Sequence, residues 1–236
     1  MAPAWLAGLR DDGFALIPGV IPQDGVDLLL AALDAPAEGE GVRRRESVYA
    51  IRNLLEAVPA VRELARSPAI RALVEPVLGA GAFAVRGILF DKTPDANWKV
   101  TWHQDLTIAL REKIDVPGFG PWSEKAGVVH VQPPADVLER MVTVRLSLDP
   151  CAPGNGPLNV IAGSHRHGRL SAADVRRWRA EREAVAACLG ACGVLLMRPL
   201  ALHASSPSTS PAHRRVVRLE FAAGQLPGGL EWHGRW

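Results

Sequence analysis

The chain has 236 residues, 48% apolar and 22% charged, which supplies one sizeable packed core and excludes wholesale disorder. A net charge of +2, from 27 basic and 25 acidic residues, removes the main argument for nucleic acid or an anionic membrane as partner. Cys151, Cys188 and Cys192 are too few for a disulfide framework, so reduced thiols and a cytoplasmic location are expected.

The opening stretch MAPAWLAGLRDDG lacks a basic region followed by a long apolar core, so no signal peptide is expected there. Residues 13–20 (GFALIPGV) read as a short strand. Pro22 then opens a helix to about Leu33, with Val26, Leu29, Leu30 and Leu33 at helical spacing. Residues 39–47 read as a charged, glycine-bearing loop. Helices are expected near 58–66 and 68–78, the second capped by Ser67, opened by Pro68 and stopped by Gly79.

From residue 80 the pattern turns to strands. Residues 83–90 and 99–108 are strand candidates, separated by the turn Lys92-Thr93-Pro94-Asp95. A long Pro-, Gly- and Trp-bearing loop follows over about 111–135, and connections of that length are usually functional. Residues 140–149 alternate: Val142, Val144, Leu146 and Leu148 share one face, Met141, Thr143, Arg145 and Ser147 the other. Pro153-Gly154-Asn155-Gly156 is a turn, and 158–162 a short strand. A capping box, Ser171 with Asp174, starts a charged surface helix expected to run to about 187. Residues 194–196, 202–205 and 216–221 complete the strands. The uncharged run 184–197 is too short to cross a bilayer, and no second Cys or His pair accompanies the C-x3-C of Cys188 and Cys192.

Helices first, then several short strands, suggest one mainly-β domain over 1–236. Residues 1–80 would form a mostly helical buttress and 81–236 a β-sandwich or barrel core.

The sharpest chemical signal is Trp102-His103-Gln104-Asp105-Leu106. On a strand, residues i and i+2 point to one side, so His103 and Asp105 would converge as two thirds of a facial triad for non-haem iron. Alone, H-x-D is weak. A second histidine arrives in Leu202-His203-Ala204-Ser205, ahead of a Pro/Ser-rich turn and Arg214. A hairpin centred on Ser208 and Thr209 would set His203 opposite Arg214, whose planar fork suits a carboxylate. Two imidazoles and a carboxylate on one face of iron(II) leave adjacent positions for a chelating 2-oxoacid and dioxygen.

The pattern resembles the phytanoyl-CoA dioxygenase family of Fe(II)/2-oxoglutarate oxygenases. The resemblance rests on GFALIPGVI, ILFDKTPDANWKVTWHQDL, LSLDPCAPGNGPLNVIAGSHRHG and LHASSPSTSPAHRR, which run in the family's order over most of the chain. It implies a double-stranded β-helix (a jelly-roll, cupin-like core) with N-terminal buttressing helices. It also implies iron ligands at His103, Asp105 and His203, and 2-oxoglutarate held by Arg214 and Ser205. The implied reaction consumes O2 and 2-oxoglutarate, forms succinate and hydroxylates an sp3 carbon of a small or medium-sized metabolite. Desaturation, cyclisation or epimerisation with the same cofactors is the alternative outcome. Halogenating relatives replace the ligand carboxylate with a small residue, and Asp105 argues against that branch.

Weaker candidates stand beside these. Arg145 either lines the barrel, needing an anion, or faces solvent. Phe119, Trp122, His130 and Gln132 sit on the long loop, which could close as a lid over the iron, and Arg52 with Asn53 is a further substrate-contact candidate. His165 and His167 read as structural, His213 as a bystander, and Trp98 and Trp102 as packing around the iron strand. Two rival readings stay open: a catalytically silent β-helix binding module, and a zinc hydrolase on the same His/Asp/His face that would leave Arg214 unexplained.

Overall fold

The computed structural model describes residues 3–34, 39–210 and 212–236. Pro211, within the expected His203–Arg214 turn, lies outside them. Helix α1 (Ala4–Asp11), which the sequence pattern did not announce, buries Leu9 and leads into strand β1 (Phe14–Ile17). Helix α2 (Gln23–Asp34) buries the expected stripe of Val26, Leu29 and Leu33. Residues 39–47, expected as a loop, contain instead the first strand of a hairpin, β2 (Val42–Arg44) with β3 (Val48–Ile51). Ladder pairing satisfies the backbone there whatever the arginine side chains prefer, and their charges stay in solvent.

Three helices follow: α3 (Leu54–Ala57), α4 (Pro59–Arg66) and α5 (Pro68–Leu78). The Ser67 hydroxyl accepts the Ile70 N–H at 3.4 Å, and Gly79 at φ 86° ends α5, as its sequence anticipates. Strand β4 (Phe83–Lys92) comes next. The candidate strand over 99–108 divides into β5 (Val100–His103) and β6 (Ile108–Leu110), which belong to different sheets. The segment 111–135 is likewise not one loop. It holds β7 (Trp122–Lys125) and β8 (Val128–Val131), turned at Ala126 and Gly127 with both φ values positive. That geometry is a two-residue hairpin turn carried by Ala-Gly rather than the usual Asn-Gly or Asp-Gly.

A short helix α6 (Ala135–Glu139) precedes β9 (Val142–Ser147), and β10 (Leu158–Val160) follows the expected turn. Helix α7 (Ala172–Glu181) keeps its capping box but stops six residues early, because the chain turns into strand β11 (Val185–Ala186). Strands β12 (Val194–Met197), β13 (His203–Ser205) and β14 (Arg214–Ala222) complete the element order.

The main sheet runs β1-β12-β9-β14-β4-β3-β2, and a smaller sheet runs β11-β10-β13-β5. All pairings are antiparallel. The N-terminal segment is therefore not only a buttress, since β1 supplies one edge of the main sheet and β2–β3 the other. Outward residues of the main sheet (Val144, Leu146, Leu196, Val217, Leu219, Phe221) pack against α2, α4 and α5 in the largest apolar cluster. Inward residues Leu195 and Met197 meet Leu158 and Val160 of the smaller sheet. This is the jelly-roll fold the sequence implied. A third sheet, β6-β8-β7, packs across one end on Phe83, Val85 and Trp232.

Candidate metal centre

His103 ends β5 and lies directly across the strand pair from His203 on β13, with ring centroids 4.2 Å apart. In each ring Nδ1 lies 2.8 Å from the carbonyl oxygen two residues earlier, of Thr101 and Ala201 respectively. Each Nδ1–H donates there, which leaves both Nε2 lone pairs facing a common point. Asp105 completes the group with Oδ1 3.9 Å from His103 Nε2 and Oδ2 3.7 Å from His203 Nε2. The three ligand atoms lie within 4.8 Å of one another. Two atoms bound at about 2.1 Å to one cation sit about 3–4 Å apart, so a small contraction would seat a metal ion.

The convergence does not come from strand alternation, because β5 ends at His103. Asp105 is placed by its own N–H, which donates to Pro199 O at 2.9 Å, and by Gln104. The Gln104 amide donates to Leu200 O at 2.7 Å and Gly168 O at 2.8 Å, and its carbonyl accepts the Leu170 N–H at 2.8 Å. Gln104 thus fixes the turn that carries Asp105, a role that sequence reasoning passed over although the residue stands between the two candidate ligands in H-Q-D.

Charge tunes the group. Burial alone would raise the Asp105 pKa, but Arg218, then His203 and His103, hold the carboxyl well below its usual range. The Arg218 guanidinium lies 2.8 Å from Asp105 Oδ2 and 2.7 Å from Glu220 Oε1. Burial pushes His203 down to about 4, with Asp105 partly opposing, so the ring is neutral and ready to ligate near pH 7. The His203 side chain is 3% exposed and that of His103 39%, so the centre opens to solvent on the His103 side.

A second polar group lies nearby on the inward faces. Arg214 is buried and sits opposite Lys92 in the β14–β4 register. Its Nη1 donates to Gly156 O at 2.7 Å, while its buried Nε has no partner. Lys92 donates to Ser205 Oγ at 3.1 Å and also to Ser206 O. Burial, then Arg214, pushes Lys92 down to about 8. Gly156 at φ 70° fits this turn because a Cβ would lie 2.6 Å from Ser206 O. The expected His203–Arg214 hairpin does not form, since β13 and β14 belong to facing sheets and the connection between them crosses the sandwich. Arg145 lies on the inner face, directly opposite Arg218. Burial, then Arg218 and Arg214, lowers its pKa to about 9. The interior therefore holds Lys92, Arg145, Arg214 and Arg218 against the buried Glu220 and the part-buried Asp105. Together they form a buried cationic cradle.

Residues 9–216 match the phytanoyl-CoA dioxygenase (PhyH) family model. The chain belongs to this family. It is accordingly an enzyme of the dioxygenase class. Solved structures with the same fold include the non-haem alpha-ketoglutarate-dependent carbocyclase SnoK from nogalamycin biosynthesis, at 18% identity and TM-score 0.70, covering 94% of this chain and 84% of that one. AviO1 from Streptomyces viridochromogenes Tue57 matches at 21% identity and TM-score 0.69, covering 97% and 99%. EctD from S. alaskensis, crystallised with 2-oxoglutarate and 5-hydroxyectoine, matches at 18% identity and TM-score 0.73, covering 94% and 76%. No curated protein matches the chain.

In this PhyH-family chain the remaining candidates separate. His130 is buried on β8 and lines a cavity at one end of the barrel with Arg52, Asn53, Glu56 and Arg86. Trp122 packs beside the apolar cluster under the third sheet, with Lys113 5.9 Å above its ring. Gln132 exchanges backbone hydrogen bonds with Gly120 and Pro121, and Phe119 packs under the same sheet, so both pin the segment entering β7. His165 contacts Arg10 O at 3.2 Å and His167 lies against Trp178, both structural. His213 pairs with Asp91 at 2.7 Å. Among the described residues, His103, Asp105 and His203 are the one group of three His, Cys, Asp or Glu placed to share a metal, and the cysteines belong to no such group. No described helix is long and apolar enough to cross a membrane.

Proposed function

We propose that the chain is an Fe(II)- and 2-oxoglutarate-dependent dioxygenase that hydroxylates an sp3 carbon of a small or medium-sized metabolite and converts 2-oxoglutarate to succinate. The single observation that carries this reading is the convergence of His103, Asp105 and His203 beside a buried cationic cradle. The residues fit the implied groups. Both imidazoles offer Nε2, the carboxylate stays ionised, and Arg214 Nε is a buried donor awaiting an acceptor. His103, Asp105 and His203 would hold iron; Arg214, Lys92 and Ser205 would take the far carboxylate of 2-oxoglutarate, with Arg145 adding positive potential. Iron and 2-oxoglutarate, when bound with O2, supply the oxidation of an unactivated C–H bond.

The chain's own residues bind and orient. Arg218 holds Asp105 from one side and Gln104 fixes the turn that presents it, so the carboxylate reaches the centre already aimed. Asp105 also keeps a carboxylate where a halide would otherwise need to sit, which favours oxidation without halogenation. The same site would serve cyclisation or epimerisation, the activities of SnoK and of SnoN, an epimerase of the same fold from nogalamycin biosynthesis, and substrate placement decides among these outcomes.

Anaerobic addition of Fe(II) and 2-oxoglutarate should give a weak visible charge-transfer band that His103→Ala or Asp105→Ala removes. A protein that binds neither would defeat the proposal. Succinate formation across a metabolite panel, with mass spectrometry of the products, would then separate hydroxylation, which adds one oxygen atom, from the other outcomes.

A further inference from the structure

The inward row of β14 and β4 continues past the metal centre. Arg218, bound to Asp105, also binds Glu220 at 2.7 Å, and Glu220 faces Arg86 across the register at 3.6 Å. The chain Asp105–Arg218–Glu220–Arg86 thus leads from the candidate ligands to the cavity lined by Arg52, Arg86 and His130. The charges there are unequal. Glu220 is shared between two arginines, and Glu56 is held by His233 at 2.6 Å. Among the described residues the Arg52 side chain has no hydrogen-bond or ion-pair partner, and Lys125 donates only to the Thr107 hydroxyl, at 3.2 Å.

His130 adds an independent observation. It is 2% exposed, and its Nδ1–H is committed to Val128 O at 2.9 Å. Its buried Nε2 has no partner, although the ring lines the cavity. Burial, then Arg86, pushes this histidine down to about 4, so Nε2 carries a lone pair and not a proton at neutral pH. A buried acceptor left unmatched beside under-paired guanidinium groups is complementary to a ligand with an anionic oxygen group and a neighbouring O–H or N–H.

We infer that the substrate carries a carboxylate which seats on Arg86 and Arg52, with a hydrogen-bond donor of the substrate meeting His130 Nε2. This end of the row is distinct from the Lys92–Arg214 end, so the acid bound here is not the one the cradle receives. Calling that ligand the substrate rests on the oxygenase reading; the binding of an acid does not.

Matched probes test it. Binding of phenylacetate and phenylacetamide, and of hexanoate and hexanamide, is measured by saturation-transfer NMR in the presence of Fe(II) and 2-oxoglutarate without oxygen. Each acid should bind at least about tenfold more tightly than its amide, the scale of a charged hydrogen bond. In Arg52→Met/Arg86→Met that ratio should fall to near one. Where the change at Arg86, whose side chain is ion-paired to Glu220 and 11% exposed, prevents folding, Arg52→Met alone carries the test, because among the described residues the Arg52 side chain has no ion pair to lose, and the ratio should fall severalfold. Equal binding of acid and amide, no binding of either acid, or an acid preference that survives Arg52→Met overturns the inference. The Fe(II)–2-oxoglutarate band is read on the same samples. A band without acid preference sinks this inference alone, while acid preference without the band sinks the oxygenase reading alone.

Discussion

Strand β14 presents two faces that differ in almost every respect. Outward, Val217, Leu219 and Phe221 are fully buried against helices, a packing surface with no polar atom to satisfy. Inward, Arg214, Arg218 and Glu220 are nearly as buried yet carry full charges, at a desolvation cost that mutual pairing only partly offsets. Alternation along one strand places the two sets one residue apart. The apolar face fixes the strand, and a fixed strand can hold guanidinium groups where water would otherwise draw them out.

The comparison can be broken most severely from the inner side. Asp105→Ala should lower succinate formation at least about a thousandfold, the scale of removing one member of a group that acts as a unit. The outer face should respond in the other observable: Phe221→Ala should cost about 3–5 kcal/mol in urea denaturation, leaving folded protein that still forms the Fe(II)–2-oxoglutarate band. Arg214→Met should raise the KM for 2-oxoglutarate roughly 10–100-fold with little change in melting temperature. Gln104→Ala should weaken Fe(II) binding about 10–100-fold while 2-oxoglutarate affinity with metal at saturation holds.

The smallest effect is a pH step. Lys92, pushed down to about 8 by burial and Arg214, is protonated below that pH and loses its charge as pH rises through it. Affinity for 2-oxoglutarate should therefore fall roughly three- to tenfold across pH 8, and Lys92→Met should flatten the step. The ligand-free fold has the opposite sign. The unfolded lysine holds its proton up to its ordinary 10.5, so stability contributed by this group rises between about 8 and 10.5. Thermal melts with and without 2-oxoglutarate separate the two trends.

What could be read from residue order follows from how local each signal is. The caps of α5 and α7, the stripe of α2 and the alternation of β9 depend on neighbours within a few residues, and they stand where expected. The His103, Asp105 and His203 grouping was readable because so few residue types suit a metal, although the hairpin invoked for Arg214 was wrong. A Pro/Ser-rich connection gives no sign that it crosses between sheets. The β7–β8 hairpin was missed because Ala-Gly is a faint turn signal, and the β2–β3 hairpin because its arginines mask a backbone that pairs regardless. Arg86 and Arg218 escaped notice altogether. An arginine on a strand reads as solvent-facing until the opposite sheet is in place to cover it.

The pairing of His103 with His203 also has a kinetic meaning. These residues come from distant parts of the chain, and Arg218, which pairs with the third candidate ligand, Asp105, comes from the facing sheet. No hairpin or local fragment contains the set, and its parts meet only after long loops have closed, the slow class of folding event. Acquisition of a tight divalent-cation site would thus mark the end of folding. A refolding experiment with Co(II) as a coloured probe would see its spectrum appear with the last phase, after the helices have formed.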